Sequence, residues 1–321
     1  MSHSLPLVTV IAVCYNHEKF VLECLRAIEQ QSYSHIQLII IDDVSKDRSV
    51  SLITEWVAQT KLNAFFIQHS ENKGICKNLN EGLQHAKGKY IAITATDDVW
   101  LPHKIESQVH LLEQSSEKVG VVYSDAYRID EDGKLLPKHF IEQYRTNFIP
   151  PQGNIFPLLM RGNFIPAMST LVRRSCYDKV GFYDEDLCYE DYDMWLRLSS
   201  QFDFVYSPEI ATKYRIVSTS LSHQFLNKGL IQSKMADIQI YRKWLKSGQL
   251  DKELKSLAEE NIYQIAEIVR KKRSPQRIKA VLLALRYKFD LRMLVFLFIY
   301  FLHLPPSLEE KLMQTLKNSI K

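Results

Sequence analysis

Among the chain's runs of adjacent acids, three adjoin apolar patterns in its first two hundred residues: Asp42-Asp43, Asp97-Asp98 and Glu190-Asp191. Side-by-side carboxylates repel unless a cation or hydrogen-bond donors neutralise them. A hard divalent ion such as Mg2+ or Mn2+ takes oxygen ligands and is commonly held by one or two carboxylates plus substrate phosphates. Thr96-Asp97-Asp98 has the residue types for that work, although helix capping before Leu101-Pro102 uses the same residues. Asp42-Asp43, with Ser45 and Asp47 close behind, divides in the same way: one aspartate braces the turn and the other accepts an imide N–H. Glu190-Asp191-Tyr192-Asp193 opens an amphipathic stretch. Acids there suit the helix dipole, and an aspartate at a helix start facing a cleft is also placed to act as a general base.

These acids need elements that gather them. Uncharged apolar runs at residues 7–13, 36–41, 64–67 and 90–94 read as buried strands. Helical spacing recurs at 18–30, 48–60 and 75–86, the last closed by Gly88 as a left-handed cap. The alternation predicts an α/β fold with a doubly wound, mostly parallel sheet and right-handed crossovers. Ligands on such sheets bind beyond the carboxyl ends of the strands. Tyr15-Asn16, Asp42-Asp43 and Asp97-Asp98 all fall at such ends, so one rim collects them. Further strands are expected at 119–123, 169–172 and 203–206, and a helix at 189–200. Residues 130–157, with Pro137, Pro150, Pro151 and Gly153, read as a long, mobile insertion. After His223 only helical patterns remain, at 228–246, 251–270, 275–286 and 308–320.

With 321 residues, 46% hydrophobic and 24% charged, the composition is that of a globular protein and excludes disorder, collagen and a small disulfide scaffold. A net charge of +4 is too small to argue for nucleic acid. Cys14, Cys24, Cys76, Cys176 and Cys188 show neither metal spacing nor a disulfide framework, which fits a reducing cytosol. The N-terminus lacks the basic and apolar regions of a signal peptide. Residues 293–302, MLVFLFIYFL, cover only about half of a bilayer's hydrocarbon core. They read either as a core helix or as a surface-seeking one. For the second, Lys271, Lys272, Arg273, Arg277, Lys279, Arg286, Lys288 and Arg292 would face anionic lipid.

The segments VTVIAVCYNHEKFVLECLRAIEQQSY, IIIDDVSKDRS, ENKGICKNLNEGLQHAKGKYIAITATDD and EDYDMWLRL, in this order, resemble glycosyltransferase family 2, the nucleotide-sugar transferases of GT-A fold. The resemblance spans about residues 5–220. It implies a GT-A type, Rossmann-like catalytic domain over 1–222; the helical patterns beyond it make an all-α region over 223–321, membrane-associating where the apolar run is read as surface-seeking. It also implies roles. Tyr15 contacts the uracil, Asp42 accepts from the base N3–H with Asp43 as its structural neighbour, and Asp97 lies near the ribose. Asp98 holds the divalent metal (Mn2+ or Mg2+) that bridges the diphosphate, and Asp191 is the catalytic base.

Some positions depart from the family pattern. Leu79 stands where an arginine is common, with Lys77 as a substitute charge for the nucleotide. Tyr214-Arg215-Ile216-Val217 lacks a histidine, for which His223 is an alternative beside its reading as an exposed loop residue. Arg173, Arg215 and His223 are candidate acceptor or phosphate contacts, Arg173 equally one of a solvated pair with Arg174.

The expected reaction is inverting, metal-dependent hexosyl or N-acetylhexosaminyl transfer from a UDP-linked donor to a saccharide acceptor. That acceptor is expected to be a lipid-linked surface-glycan precursor, met by a cytoplasmic enzyme peripheral to the inner face of the membrane. The rival readings are a transferase for a protein or soluble acceptor and a non-catalytic nucleotide-sugar binding module. Phosphoryl or nucleotidyl transfer lacks a GxxxxGK loop.

Overall fold

The computed structural model describes residues 5–218, 220, 230–272 and 274–301. The chain forms two compact units, Met1–His223 and Gln224–Lys321.

The first unit opens with β1 (Val8–Cys14), α1 (Val21–Glu29), β2 (Ile36–Asp42), α2 (Ser49–Val57), β3 (Asn63–Gln68), α3 (Ile75–His85) and β4 (Tyr90–Ala95). It continues with β5 (Val99–Trp100), α4 (Lys104–Gln114), β6 (Val119–Ser124), β7 (Tyr127–Ile129), α5 (Phe140–Tyr144), α6 (Phe156–Leu159), β8 (Leu171–Arg173), α7 (Arg174–Val180), α8 (Asp191–Ser199), β9 (Asp203–Ser207) and β10 (Thr212–Arg215). The main sheet has seven strands in the order β3-β2-β1-β4-β8-β6-β9. All pairings in it are parallel except those of β8 with β4 and β6. β1 and β2 are buried along their whole length, because helices cover both faces of a doubly wound sheet. A second sheet, β5-β10-β7, adds three short strands.

Two polar residues cross the core by pairing. Thr9 Oγ1 donates to Gln37 Oε1 (2.7 Å), while the amides of Lys87 and Gly88 donate to Gln37 Oε1 (2.9 Å) and Thr9 Oγ1 (2.8 Å). Gly88 is therefore not a left-handed helix cap. α3 ends at His85, Ala86 is extended, and Gly88 has no positive φ. Glycine is required there by close approach, since a Cβ would lie 2.4 Å from the Thr9 nitrogen. The insertion at 130–157 is likewise tied down rather than loose. Asp125 Oδ1 accepts from Ile141 N (2.8 Å), and Tyr123 Oη donates to Pro151 O (2.5 Å).

Lys104 is wholly buried. Its Nζ donates to Gln108 Oε1 (2.9 Å) and Thr170 O (3.2 Å) and lies 4.1 Å from the Trp100 ring centroid. Burial pushes its ammonium down from 10.5 to about 7. Between these values the unfolded chain holds more protons than the folded one. The contribution of Lys104 to stability then rises with pH across that window, by up to about 1.4 kcal/mol per pH unit. Lys104→Met should flatten this slope, with its gain over the wild type greatest at pH 7 and below. Urea melts at pH 6.5, 8 and 9.5 check this; parallel slopes for the two proteins would contradict it.

The second unit packs α9 (Leu230–Ser247), α10 (Lys252–Arg270), α11 (Gln276–Leu285) and α12 (Leu291–Phe301). α10 is capped by Asp251, whose Oδ1 accepts from Leu254 N at 2.8 Å. α12 combines both readings of the apolar run. Met293, Phe296 and Leu297 are buried, while Leu294 is 37% and Phe298 66% exposed. Among the described residues no helix is long and apolar enough to cross a membrane. Leu302, the helix expected at 308–320, and His223 lie outside the described residues.

Candidate active site

The rim forms where β1, β2 and β4 end side by side. Asp42 pairs with Cys14, the last residue of β1. The amide of Asp43 donates to Cys14 O (3.0 Å) and that of Thr96 to Val13 O (3.0 Å), so the two acid pairs flank the end of β1. Tyr15 stands on this rim with its side chain 46% exposed. Next to it Asn16 takes a left-handed φ of 58°, its N–H donating to Ser45 Oγ (2.8 Å) and its Oδ1 accepting from Lys46 N (2.7 Å). Val44, a β-branched residue, is held at φ 68°. Such a backbone costs about 1–3 kcal/mol, which the turn around it must offset.

That turn occupies both aspartates. Asp42 is fully buried, and its carboxylate accepts from Ser45 N (2.9 Å) and from the Ser45 hydroxyl. Asp43 reaches across to the loop before α3 and accepts from Lys73 N (2.8 Å) and Gly74 N (2.9 Å). His69 lies between Asp43 (3.3 Å) and Glu81 (2.9 Å) and secures the same loop. Lys77 is exposed in the first turn of α3, while Leu79 points into the core. No arginine-like reach to the rim exists at position 79.

Asp97 and Asp98 are both buried. The Arg215 amide donates to Asp98 Oδ1 (3.0 Å), and Arg215 Nε donates to Asp97 O (2.9 Å). The Arg215 guanidinium also donates to Asp130 O (3.2 Å), Glu131 O (3.1 Å) and Glu23 Oε2 (2.5 Å), and it lies 4.8 Å from the Phe20 ring. Arg215 is thus brought to the acid pair as a brace inside the protein. Its planar donors meet four acceptors from three segments. Arg215→Met would strand several of these acceptors and should destabilise the protein by on the order of 3 kcal/mol. Arg215→Lys should recover little, lacking the fork. Urea denaturation measures both; a loss below about 0.5 kcal/mol would contradict the bracing role.

Burial and the charge of Asp97 push the Asp98 carboxyl well above the usual carboxylate range, partly opposed by Arg215. A divalent cation would relieve that cost. Among the described residues no three His, Cys, Asp or Glu side chains cluster as a metal cage. The donor set fits an ion held by one or two carboxylates and completed by phosphate oxygens and water.

α8 brings the third acid pair. Asn80 on α3 holds the approach to it, donating to Tyr183 O (2.9 Å) and Glu185 Oε1 (2.9 Å) and accepting from Tyr183 N (2.8 Å). Cys76 Sγ meets Leu187 O (3.6 Å). Contacts therefore run from Asp43 through Gly74 and α3 to Tyr183, Glu185 and Leu187, ahead of α8. Arg197 fixes that helix, bonding Asp193 (2.8 Å) and Val180 O (2.8 Å). Asp191 Oδ2 accepts from Asn163 Nδ2 at 2.7 Å. Burial, then the charge of Asp191, push the neighbouring Glu190 up to about 8.

Arg173 is not brought to the rim. It pairs with Tyr90 at the opposite end of β4, buried, and donates to Val119 O (2.8 Å), Leu112 O (2.6 Å) and Tyr90 Oη (3.2 Å). The sequence reading missed three residues. His17 Nδ1 lies 2.9 Å from Thr96 Oγ1 and its Nε2 lies 3.7 Å from Asp97 Oδ2. Its place two residues beyond Tyr15 was the available signal. Glu23 and Asn163 meet their partners across 192 and 28 residues, with no local pattern to mark them.

The description "Glycosyl transferase family 2" belongs to the family model that matches residues 9–181, more than half of the chain. An uncharacterized glycosyltransferase of Rickettsia prowazekii is 29% identical over 228 residues, covering 70% of this chain and 68% of the relative. Among solved structures, S. aureus TarS 1–349 in complex with UDP-GlcNAc superposes with a TM-score of 0.65 at 15% identity, over 88% of this chain and 82% of that one. The mannosyltransferase PcManGT of Pyrobaculum calidifontis, in complex with GDP-Man and Mn2+, gives 0.59 at 17% identity, over 97% and 84%. These likenesses extend to the fold, an α/β sheet of GT-A type.

Proposed function

Because the chain belongs to glycosyl transferase family 2, we propose that it moves a sugar from a UDP-linked donor to a saccharide hydroxyl, with inversion and with a divalent metal. The reading is carried by one observation: Asp97-Asp98 ends β4 beside the end of β1, buried and braced by Arg215, across from the Asp42-Asp43 turn. Tyr15 offers its exposed ring to the uracil. Asp42 meets the base N3–H in place of the Ser45 hydroxyl, which must turn aside. Asp97 receives the ribose, and Lys77, at the amino end of α3, faces the diphosphate. Asp98, with Asp97, would hold Mn2+ or Mg2+, and the ion supplies positive charge to the departing diphosphate. Asp191 takes the proton of the acceptor hydroxyl as it attacks the anomeric carbon. One displacement inverts that carbon, and the diphosphate leaves. Hydrolysis of UDP-, GDP- and dTDP-sugars with Mn2+ or Mg2+ tests this reading; absence of turnover across the whole panel would contradict it.

The acceptor in this reading is a lipid-linked saccharide met at the membrane surface. Support comes from α12, where Leu291, Leu294 and Phe298 fall on one stripe at i, i+3 and i+7, all exposed, with exposed Phe289 before them. Lys271, Lys272, Lys279, Arg286 and Lys288 precede the stripe in sequence, the composition of an interfacial helix on anionic lipid. Co-sedimentation with phosphatidylglycerol vesicles should be lost in Leu294→Glu/Phe298→Glu; unchanged binding would refer the acceptor to solution.

A further inference from the structure

Asp191 sits at a helix start, where its Oδ1 accepts from Tyr192 N (2.7 Å). The segment facing it supplies a donor to the other oxygen. Asn163 Nδ2 donates to Asp191 Oδ2 (2.7 Å), while Asn163 Oδ1 accepts from Ile165 N (3.0 Å). The second bond decides the first: with Oδ1 committed to a backbone N–H, only the amide donor remains to face a carboxylate that accepts. Both neighbours of Asn163 are held by one side chain. Arg145 Nη2 donates to Gly162 O (2.7 Å), and its guanidinium lies 5.2 Å from the Phe164 ring and 5.1 Å from Phe148. Gly162 has φ 133°, and a Cβ there would lie 3.3 Å from Arg145 Nη2. The helix side is fixed as well, because Tyr192 Oη donates to Leu159 O (2.7 Å).

We propose that Asn163 is a positioning residue for Asp191, held in place by Arg145 and aiming the carboxylate at the acceptor hydroxyl. This rests on the reading of Asp191 as the base. A donor on Oδ2 fixes the plane of the carboxylate that is to meet the acceptor hydroxyl. A base misplaced by about 1 Å costs up to roughly 100-fold in rate.

Asn163→Asp separates this role from mere turn formation. It keeps the size of the side chain and the Oδ1 acceptor for Ile165 N–H but sets a second carboxylate against Asp191 in place of the donor, so Asn163→Ala, which removes the donor without adding charge, is read beside it. Turnover is followed as nucleoside diphosphate release with UDP-GlcNAc, UDP-glucose and UDP-galactose as donor probes. Asn163→Asp and Asn163→Ala should both lower kcat about 10- to 100-fold with donor KM within about twofold and UDP binding kept. In an Asp191→Asn background, Asn163→Asp should cost nothing more, because the two residues act as one unit. Asn163→Asp at the wild-type rate, while Asp191→Asn is inactive, would overturn the positioning role alone. So would an equal loss in both backgrounds. Asp191→Asn at the wild-type rate would instead remove the base reading itself.

Discussion

Asp191→Asn should lower turnover by roughly 10²-fold or more and leave donor affinity within about twofold. The amide is nearly isosteric with the carboxylate, so the fixed start of α8, held by Arg197 and Tyr192, should survive. What is lost is the capacity to take a proton. In the proposed reading the nucleotide is bound at the ends of β1, β2 and β4 and not by α8, so affinity and rate should separate. Steady-state kinetics with UDP calorimetry reads both quantities. Wild-type turnover would remove Asp191 from the reaction, and a parallel loss of affinity would make its role structural.

The second large effect is on metal-dependent binding. Asp98→Ala should abolish the strengthening of UDP binding by Mn2+ while leaving the weaker metal-free binding in place. Asp98 is buried beside Asp97, and its one described donor is the Arg215 amide, so the pair carries charge that protein groups only partly offset. A cation shared with a diphosphate would complete that balance. Calorimetry with and without Mn2+ distinguishes the outcomes. An equal Mn2+ effect in both proteins would place the ion elsewhere.

The central strands were legible because burial on both faces leaves an uninterrupted apolar run, as in Val8–Cys14 and Ile36–Asp42. The acids that end those runs were legible for the same reason, since a change from apolar to charged marks the rim. The small sheet was not legible: Val99–Trp100 and Thr212–Arg215 are too short to show a period. Arg215 was placed as a phosphate or acceptor contact, yet its partners Glu23, Asp97 and Asp130 come from distant segments that only folding brings together. Arg173 reads from the sequence as an acceptor or phosphate contact or as half of a solvated pair with Arg174, but its position in β8 turns it under α4 to bond Leu112 O. Proline and glycine in residues 130–157 pointed to a long, mobile insertion, but gave no sign of the short helix α5 inside it. They carried no sign of Asp125 and Arg145, which tie that segment down.

The convergence of Asp42, Asp98 and Asp191 on one nucleotide-sugar cleft is tested most directly by a crystal structure with UDP-GlcNAc and Mn2+, using the anomalous signal of manganese. The expected result is a manganese peak bonded to the Asp98 carboxylate and the diphosphate, the uracil between Tyr15 and Asp42, and the sugar facing Asp191. A peak away from Asp98, or a nucleotide bound off the ends of β1, β2 and β4, would contradict the account.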